Sequence, residues 1–122
     1  MDSPQTDTMQ ALVVRKLGDP TAPISESSPI FLSFHHPVPQ LTSATSVRLR
    51  VKAIGVNFAN ALQIMGKYQV KPSLPFVLGS DFSGVVEAVG NGVTRIKVGD
   101  RVCAMIEQDG YAEKVVADEK EL

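Results

Sequence analysis

Residues 47–53 read VRLRVKA and alternate strictly between apolar and charged residues. Successive side chains of a β-strand point to opposite faces, so this alternation predicts a strand with one buried and one solvated face. The predicted buried face carries Val47, Leu49, Val51 and Ala53. The other face carries Arg48, Arg50 and Lys52, and a solvated strand face explains these three cations better than a binding patch does.

Further strands are predicted on both sides of this segment, at short spacing. Apolar runs predict strands at residues 10–15, 30–35, 82–89, 101–105 and 111–117. The Pro/Ser-rich stretch 18–29 is predicted to be a surface loop, because proline cannot donate a hydrogen bond to a sheet. Glycine-containing turns are predicted at 90–92, 99–100 and 109–110. The pattern favours a mainly β fold, a barrel or a sandwich.

One segment changes from strand to helical periodicity. Asn57 is a favourable N-cap and Gly66 a favourable C-terminal stop, so the segment between them predicts one short helix. Four apolar side chains recur at helical spacing and are expected to share one face: Phe58, Ala61, Leu62 and Met65.

The composition is that of one folded domain. The chain has 122 residues, of which 43% are hydrophobic and 20% charged. Residues 1–8 are polar and predicted to be a flexible tail, which leaves 9–122 as the domain. A net charge of −1 lacks the basic surplus of a nucleic-acid binder. No apolar stretch approaches the roughly 20 residues that cross a bilayer, and the N-terminus does not resemble a signal peptide. The expected location is cytoplasmic.

Several residues that could carry chemistry are better explained by structure. Cys103 is the only cysteine and lies in an apolar run, which predicts a buried, inert thiol. His35 and His36 are adjacent and would point to opposite faces of a strand, which argues against a shared metal. Residues 90–95 begin like a dinucleotide-binding fingerprint. However, Arg95 stands in place of the third glycine and no amphipathic helix follows, so a turn is predicted.

Two further segments carry a family resemblance. Residues 55–60 read GVNFAN, with GKY at 66–68, and residues 75–90 read PFVLGSDFSGVVEAVG, followed by VGDRV at 98–102. These motifs resemble the N-terminal, GroES-like domain of the medium-chain dehydrogenase/reductase superfamily, in its zinc-independent quinone oxidoreductase (zeta-crystallin-like) branch. The resemblance runs from Met9 to Leu122, and the long segment 17–45 is similar to plant quinone-oxidoreductase-like proteins. It implies a GroES-like, partly open β-barrel with one short helix.

The resemblance also bears on zinc. Zinc-dependent alcohol dehydrogenases of this superfamily carry a Cys ligand where this chain has Asn57. They carry Gly-His-Glu where this chain has Gly79-Ser80-Asp81. An amide and a hydroxyl do not replace a thiolate and an imidazole as zinc ligands. No zinc is therefore expected.

The implied reaction transfers a hydride from NAD(P)H to a quinone or an α,β-unsaturated carbonyl (enone), which is electrophilic enough to accept it without a Lewis acid. By resemblance, Asn57 and Tyr68 are the expected catalytic residues and would donate hydrogen bonds to the developing oxyanion. Asn60, Ser80 and Asp81 are expected in the cleft for substrate and cofactor. Simple helix capping remains the alternative for Asn57, and a half-buried loop aromatic remains the alternative for Tyr68.

The cofactor-binding half of this superfamily is a separate Rossmann domain of ~100–150 residues that follows the GroES-like domain. This chain ends at Leu122, so we expect NADP(H) to be bound by a full-length protein and not by this chain alone, which would be inactive. A homodimer through the nucleotide-binding half is possible. Two alternatives stay open: a GroES-like assembly module of the co-chaperonin kind, and an inactive fragment.

Overall fold

The computed structural model describes residues 7–23, 25 and 27–122. These residues form two antiparallel sheets, one α-helix and a final 3-10 turn. The elements are β1 (Thr8–Val14), β2 (Ile30–Pro37), β3 (Ser46–Gly55), α1 (Phe58–Met65), β4 (Phe76–Val77), β5 (Asp81–Val89), β6 (Arg101–Met105), β7 (Lys114–Asp118) and the 3-10 helix Glu119–Glu121. Residues 1–6 of the predicted tail lie outside the described residues, and Thr8, predicted as tail, is the first residue of β1.

The strand order is β2-β1-β4 in one sheet and β6-β5-β3-β7 in the other. An isolated bridge between Ala11 and Ala112 links them. The Leu12 amide donates to Tyr111 O at 2.8 Å, and the Leu78 amide donates to Leu12 O at 3.0 Å. The sheets do not close into a barrel, which confirms the predicted mainly β, partly open fold.

The alternating segment that predicted the fold lies at the centre of the larger sheet. As β3 it pairs with β5 on one side and β7 on the other. Val47 and Leu49 are fully buried, as the alternation predicts. The pairing with β5 shifts between Val51 and Ala53, which ends the alternation. Ala53 is exposed, so its predicted burial is wrong.

The core consists mainly of β-branched and aliphatic side chains. One cluster lies against the larger sheet: Val47, Leu49, Phe82, Val86, Ala104 and Val115. A second joins the helix to the smaller sheet: Val14, Ile64, Phe76, Leu78 and Tyr111. The second cluster holds α1 at the edge of the molecule where the functional residues gather.

Helix α1 has the predicted ends but not the predicted buried face. Asn57 is its N-cap with an extended backbone, and Gly66 is its C-cap with a φ of 75°. The buried residues are Asn60, Gln63 and Ile64, whereas Phe58 is 74% exposed. The predicted apolar face is wrong, because the two polar side chains that face inward form hydrogen bonds there, Asn60 with the Tyr111 hydroxyl and Gln63 through its Nε2 with Glu107 O.

Cys103 is exposed, so the predicted burial of its thiol is also wrong. It lies in β6, an edge strand of the larger sheet, where Ala104 takes the inward position. An alternating strand has only one buried face, and Cys103 falls on the other. Among the described residues, no helix has the length and apolar character needed to cross a membrane.

Candidate functional site

An open cleft of about 930 Å³ lies beside α1. Its lining includes four of the five residues that the sequence predicted for the site: Asn57, Tyr68, Ser80 and Asp81. Asn60, the fifth, is buried behind them at 3% exposure. The fold thus brings together residues from α1, from the loop that follows it and from the start of β5.

Asn57 and Tyr68 are positioned by the two ends of α1. The C-terminal end closes through hydrogen bonds from the Gly66 amide to Gln63 O at 3.1 Å and from the Lys67 amide to Leu62 O at 2.9 Å. Gly66 has a left-handed backbone that favours glycine, and the chain leaves the helix there. Tyr68 follows two residues later and lies in the cleft wall.

Close approaches at two glycines position Ser80 and Asp81. A Cβ on Gly55 would lie 2.5 Å from Asp81 Oδ2, and a Cβ on Gly79 would lie 2.5 Å from the Tyr111 backbone nitrogen. Gly79 also has a φ of 109°, which side-chain-bearing residues rarely adopt. These two glycines therefore allow β3, β5 and the segment before β7 to meet directly behind the cleft.

Tyr111 is the residue of this region that sequence reasoning missed. Its hydroxyl lies 2.8 Å from Gly55 O and 2.7 Å from Asn60 Oδ1, so both oxygens compete for its proton. Asn60 Nδ2 in turn donates to Ser80 Oγ at 3.3 Å. Burial, and then the charge of Asp81, raise the pKa of Tyr111. It stays a protonated donor, and it ties β3 to α1 behind the cleft.

Tyr68 differs from Tyr111 in having an unengaged hydroxyl. Within the described residues the Tyr68 hydroxyl makes no hydrogen bond, and the side chain is half-buried in the cleft wall. Asn57 is exposed at the same cleft. Both side chains are therefore available to donate hydrogen bonds to a bound molecule.

The segment between β6 and β7 also lines the cleft, with Ile106 to Asp109. The Ile106 amide donates to Ser80 O at 2.8 Å, and the Asp109 amide donates to Val77 O at 2.9 Å. From α1, Gln63 Nε2 donates to Glu107 O at 3.1 Å. Burial raises the pKa of the Asp109 carboxyl, against a smaller opposite influence of His36. This segment is thus fastened to β4, to the start of β5 and to the helix.

The cleft lining carries four acidic side chains: Asp81, Glu107, Asp109 and Glu121. No lysine, arginine or histidine of the described residues lines it. Across those residues, no group of three or more His, Cys, Asp or Glu side chains is arranged to hold a metal ion. The sequence-based prediction that zinc is not used stays a prediction.

A second charged site lies away from the cleft, and we call it the Glu87 cluster (Arg48, Arg50, Glu87 and Lys114). Glu87 Oε2 lies 2.7 Å from Arg48 Nε and 3.2 Å from Lys114 Nζ, and Oε1 lies 4.0 Å from Arg50 Nε. Burial, the largest influence, raises the pKa of Glu87. Hydrogen bonds and charge from Arg48 and Lys114 outweigh it, so the pKa is lowered overall. The predicted solvated cation face is thus partly an ion-pair cluster.

Comparison with known proteins identifies relatives of this chain. Residues 43–122 match the family described as "Alcohol dehydrogenase GroES-like domain". The chain is 40% identical over 91 residues to quinone oxidoreductase-like protein 2 of Mus musculus, covering 75% of this chain and 26% of the relative. It therefore spans about a quarter of that protein's length.

Two solved structures share the fold. The quinone oxidoreductase of Pseudomonas syringae pv. Tomato DC3000 is 33% identical with a TM-score of 0.78, covering 93% of this chain and 32% of that one. The quinone oxidoreductase of Thermus thermophilus, whose crystal structures include a complex with NADPH, is 32% identical with a TM-score of 0.71, covering 93% and 31%. The predicted similarity to plant members stays a prediction.

Proposed function

This chain belongs to the alcohol dehydrogenase GroES-like domain family of the medium-chain dehydrogenase/reductase superfamily and is similar to its quinone oxidoreductases, and on that premise we propose that it forms the substrate-side domain of an oxidoreductase. The proposed reaction transfers a hydride from NAD(P)H to a quinone or an α,β-unsaturated carbonyl without zinc. The observation that carries this proposal is the convergence of Asn57, Tyr68 and Ser80 on one cleft.

In the proposed mechanism, Asn57 and Tyr68 act on the acceptor's carbonyl oxygen. That oxygen gains negative charge as the acceptor is reduced, and hydrogen-bond donors that are already oriented stabilise the charge without reorganising. The free hydroxyl of Tyr68 and the exposed amide of Asn57 are donors of this kind. Tyr111 and Asn60 act behind them as positioning residues, because they join the end of β3 to α1.

NADPH would supply the hydride when bound, and the donor set of this chain fits one part of that cofactor. A neutral or cationic nicotinamide ring is compatible with a cleft lined by carboxylates, and Asn57 and Tyr68 would lie beside it. The cofactor's phosphates are not compatible with this cleft, because no cationic side chain of the described residues lines it to pair with them. We therefore infer that the 122-residue chain alone binds NADPH weakly or not at all, which calorimetric titration would test.

Zinc does not suit the side chains at the two positions where, by resemblance, zinc-dependent relatives hold their ligands. Asn57 offers a neutral amide and Ser80 a hydroxyl that already accepts a hydrogen bond from Asn60. Both are poor substitutes for thiolate and imidazole. A quinone or enone does not require the alkoxide stabilisation that zinc supplies to a plain alcohol.

The experiment is a comparison of acceptors with the complete protein that contains this chain. Loss of NADPH absorbance is followed with 1,4-benzoquinone and with 2-cyclohexenone, and NADP⁺ reduction is followed with a simple alcohol. We expect reduction of the quinone or the enone, unchanged after treatment with a chelator, and no alcohol oxidation. Chelator-sensitive alcohol oxidation, or no turnover of either carbonyl with NADPH or NADH, would contradict the proposal.

A further inference from the structure

Gln63 is a buried polar residue in the cleft wall that the proposed mechanism does not use. Its side chain is 4% exposed, and its Nε2 donates to Glu107 O at 3.1 Å. That contact fixes which end of the amide is nitrogen, because only the NH₂ group can donate to a carbonyl. The other end, Oε1, is buried and has no hydrogen-bond partner among the described residues.

An unpaired buried acceptor of this kind is rare, since buried polar atoms are nearly always hydrogen-bonded. Gln63 lines the cleft. The last torsion of a glutamine side chain is broad, so a bound donor can draw Oε1 toward the cleft by rotating the amide about that torsion. A molecule in the cleft that carries an O–H or N–H group therefore meets an acceptor that no protein donor occupies.

The acidic lining is an independent sign of ligand selection. Asp81, Glu107, Asp109 and Glu121 line the cleft without a cationic side chain among the described lining residues. None of the four forms an ion pair within the described part of the chain, whereas Glu87, further along β5 and outside the cleft lining, is paired with Arg48 and Lys114. Walls of one sign of charge repel ligands of the same sign and favour neutral or opposite ones.

We propose that the cleft selects an uncharged quinone or enone that carries a hydroxyl or N–H group. Gln63 Oε1 accepts a hydrogen bond from that group, and the acidic wall rejects acceptors that carry a carboxylate. The carbonyl oxygen of the same ligand accepts hydrogen bonds from Asn57 and Tyr68 in the proposed mechanism, so this inference rests on the proposed function. It adds the substrate class and a specificity residue.

The test uses three 2-cyclohexenones that differ only at C4: the methyl, hydroxymethyl and carboxylate derivatives. The substituent is attached through a saturated carbon, so the reacting enone is nearly the same in all three. Dissociation constants and kcat/KM are measured with the complete protein for the wild type and two variants. Gln63→Met keeps the length of the side chain and removes the acceptor. Glu107→Gln/Asp109→Asn replaces two acidic side chains of the cleft lining and leaves the Glu107 carbonyl in place.

For the wild type we expect the hydroxymethyl enone to bind about tenfold more tightly than the methyl enone, the effect of one buried hydrogen bond. Gln63→Met should reduce that ratio to about one. The carboxylate should bind at least ~10-fold more weakly than the methyl enone at low salt. High salt should reduce the difference in affinity between the carboxylate and the methyl enone, and so should the double variant. Ratios within one variant are independent of any general loss of folded protein.

Equal binding of the methyl and hydroxymethyl enones, or a ratio unchanged by Gln63→Met, would overturn the role of Gln63. A carboxylate that binds as well as the methyl enone would overturn the role of the acidic wall. If one of these two results were found and the protein still reduced the methyl enone with NADPH, only this inference would fail, and the proposed function would be retained. Failure to bind or reduce any of the three would overturn the proposed function and this inference together. If Gln63→Met fails to fold, the salt series and the double variant still decide the acidic wall, and the wild-type methyl/hydroxymethyl ratio decides the donor preference.

Discussion

The cleft and the Glu87 cluster both gather charged and polar side chains at the same sheet, but they differ in how those groups are satisfied. In the Glu87 cluster, one carboxylate receives Arg48 and Lys114 at hydrogen-bond distance. In the cleft, the Tyr68 hydroxyl and Gln63 Oε1 have no hydrogen-bond partner in the described part of the chain. Polar groups that are paired with one another stabilise the fold. Polar groups that have no protein partner are available to bind a ligand.

The largest expected effect distinguishes the two tyrosines of the chain. Tyr68→Phe should lower kcat/KM for a quinone or enone by roughly a hundredfold, about 3 kcal/mol, the lower range for loss of an oxyanion donor. NADPH affinity and melting temperature should stay near wild type, because the Tyr68 hydroxyl has no hydrogen bond within the described residues to lose. Steady-state kinetics with the complete protein measure kcat/KM, calorimetric titration measures NADPH affinity, and thermal unfolding measures the melting temperature.

Tyr111→Phe is the matched control, since it removes the same hydroxyl from a position behind the cleft. It should lower the free energy of unfolding by about 1–2 kcal/mol, because Gly55 O and Asn60 Oδ1 lose their donor. If Tyr68→Phe destabilised the protein and left kcat/KM unchanged, Tyr68 would be a structural residue.

The Glu87 cluster should show the reverse behaviour. Glu87→Gln should lower the free energy of unfolding by about 2 kcal/mol, because two close hydrogen-bonded cations lose their charge partner. Activity per folded molecule should not change, since none of the four cluster residues lines the cleft. Arg50→Gln is the control: its 4.0 Å contact is half-exposed and should contribute under ~0.5 kcal/mol.

The pH dependence of stability checks the same cluster. The pKa of Glu87 is lowered in the folded protein, so its ionised form stabilises the fold above its ordinary pKa. That contribution should be lost as the pH falls through the lowered pKa. Urea unfolding across acidic pH should therefore show a steeper loss of stability in the wild type than in Glu87→Gln. Parallel curves would show that Glu87 is not stabilised by its cations.

Asn57→Ser should have a smaller effect on the cleft. Serine remains a good N-cap for α1, so the helix and the melting temperature should be preserved. The hydroxyl is shorter than the amide and reaches the acceptor less well, so we expect a decrease of about tenfold in kcat/KM. A melting temperature well below wild type, with kcat/KM unchanged, would show that Asn57 acts only as a cap.

The last prediction concerns the zinc content of the purified chain, where we expect no measurable amount. Asn57 and Ser80 stand at the two ligand positions of the zinc-dependent relatives, so the purified chain should contain no stoichiometric zinc. Elemental analysis measures this directly. One zinc per chain would contradict the assignment to the zinc-independent branch.

Much of the fold could be predicted because local sequence determines it. Alternation predicted β3, the run 101–105 coincides with β6, and a cap residue with a C-terminal glycine predicted α1. Asn57, Tyr68, Ser80 and Asp81 were found from family motifs, and the chain brings all four to one cleft. These features depend on short-range periodicity, on backbone preferences of single residues, or on motifs whose spacing is local.

What the sequence could not determine depends on contacts between residues far apart in the chain. Gln63 and Asn60 face inward, in place of the predicted apolar face of α1, only because Glu107 O and the Tyr111 hydroxyl are there to meet them. Cys103 is exposed because β6 turns the face that carries Ala104 toward the core, and Glu87 is paired because β3 lies between β5 and β7. Periodicity assigns a side chain to a face. Only the packing of the sheets and helix decides what that face meets, and therefore whether a polar group is satisfied by the protein or left for a ligand.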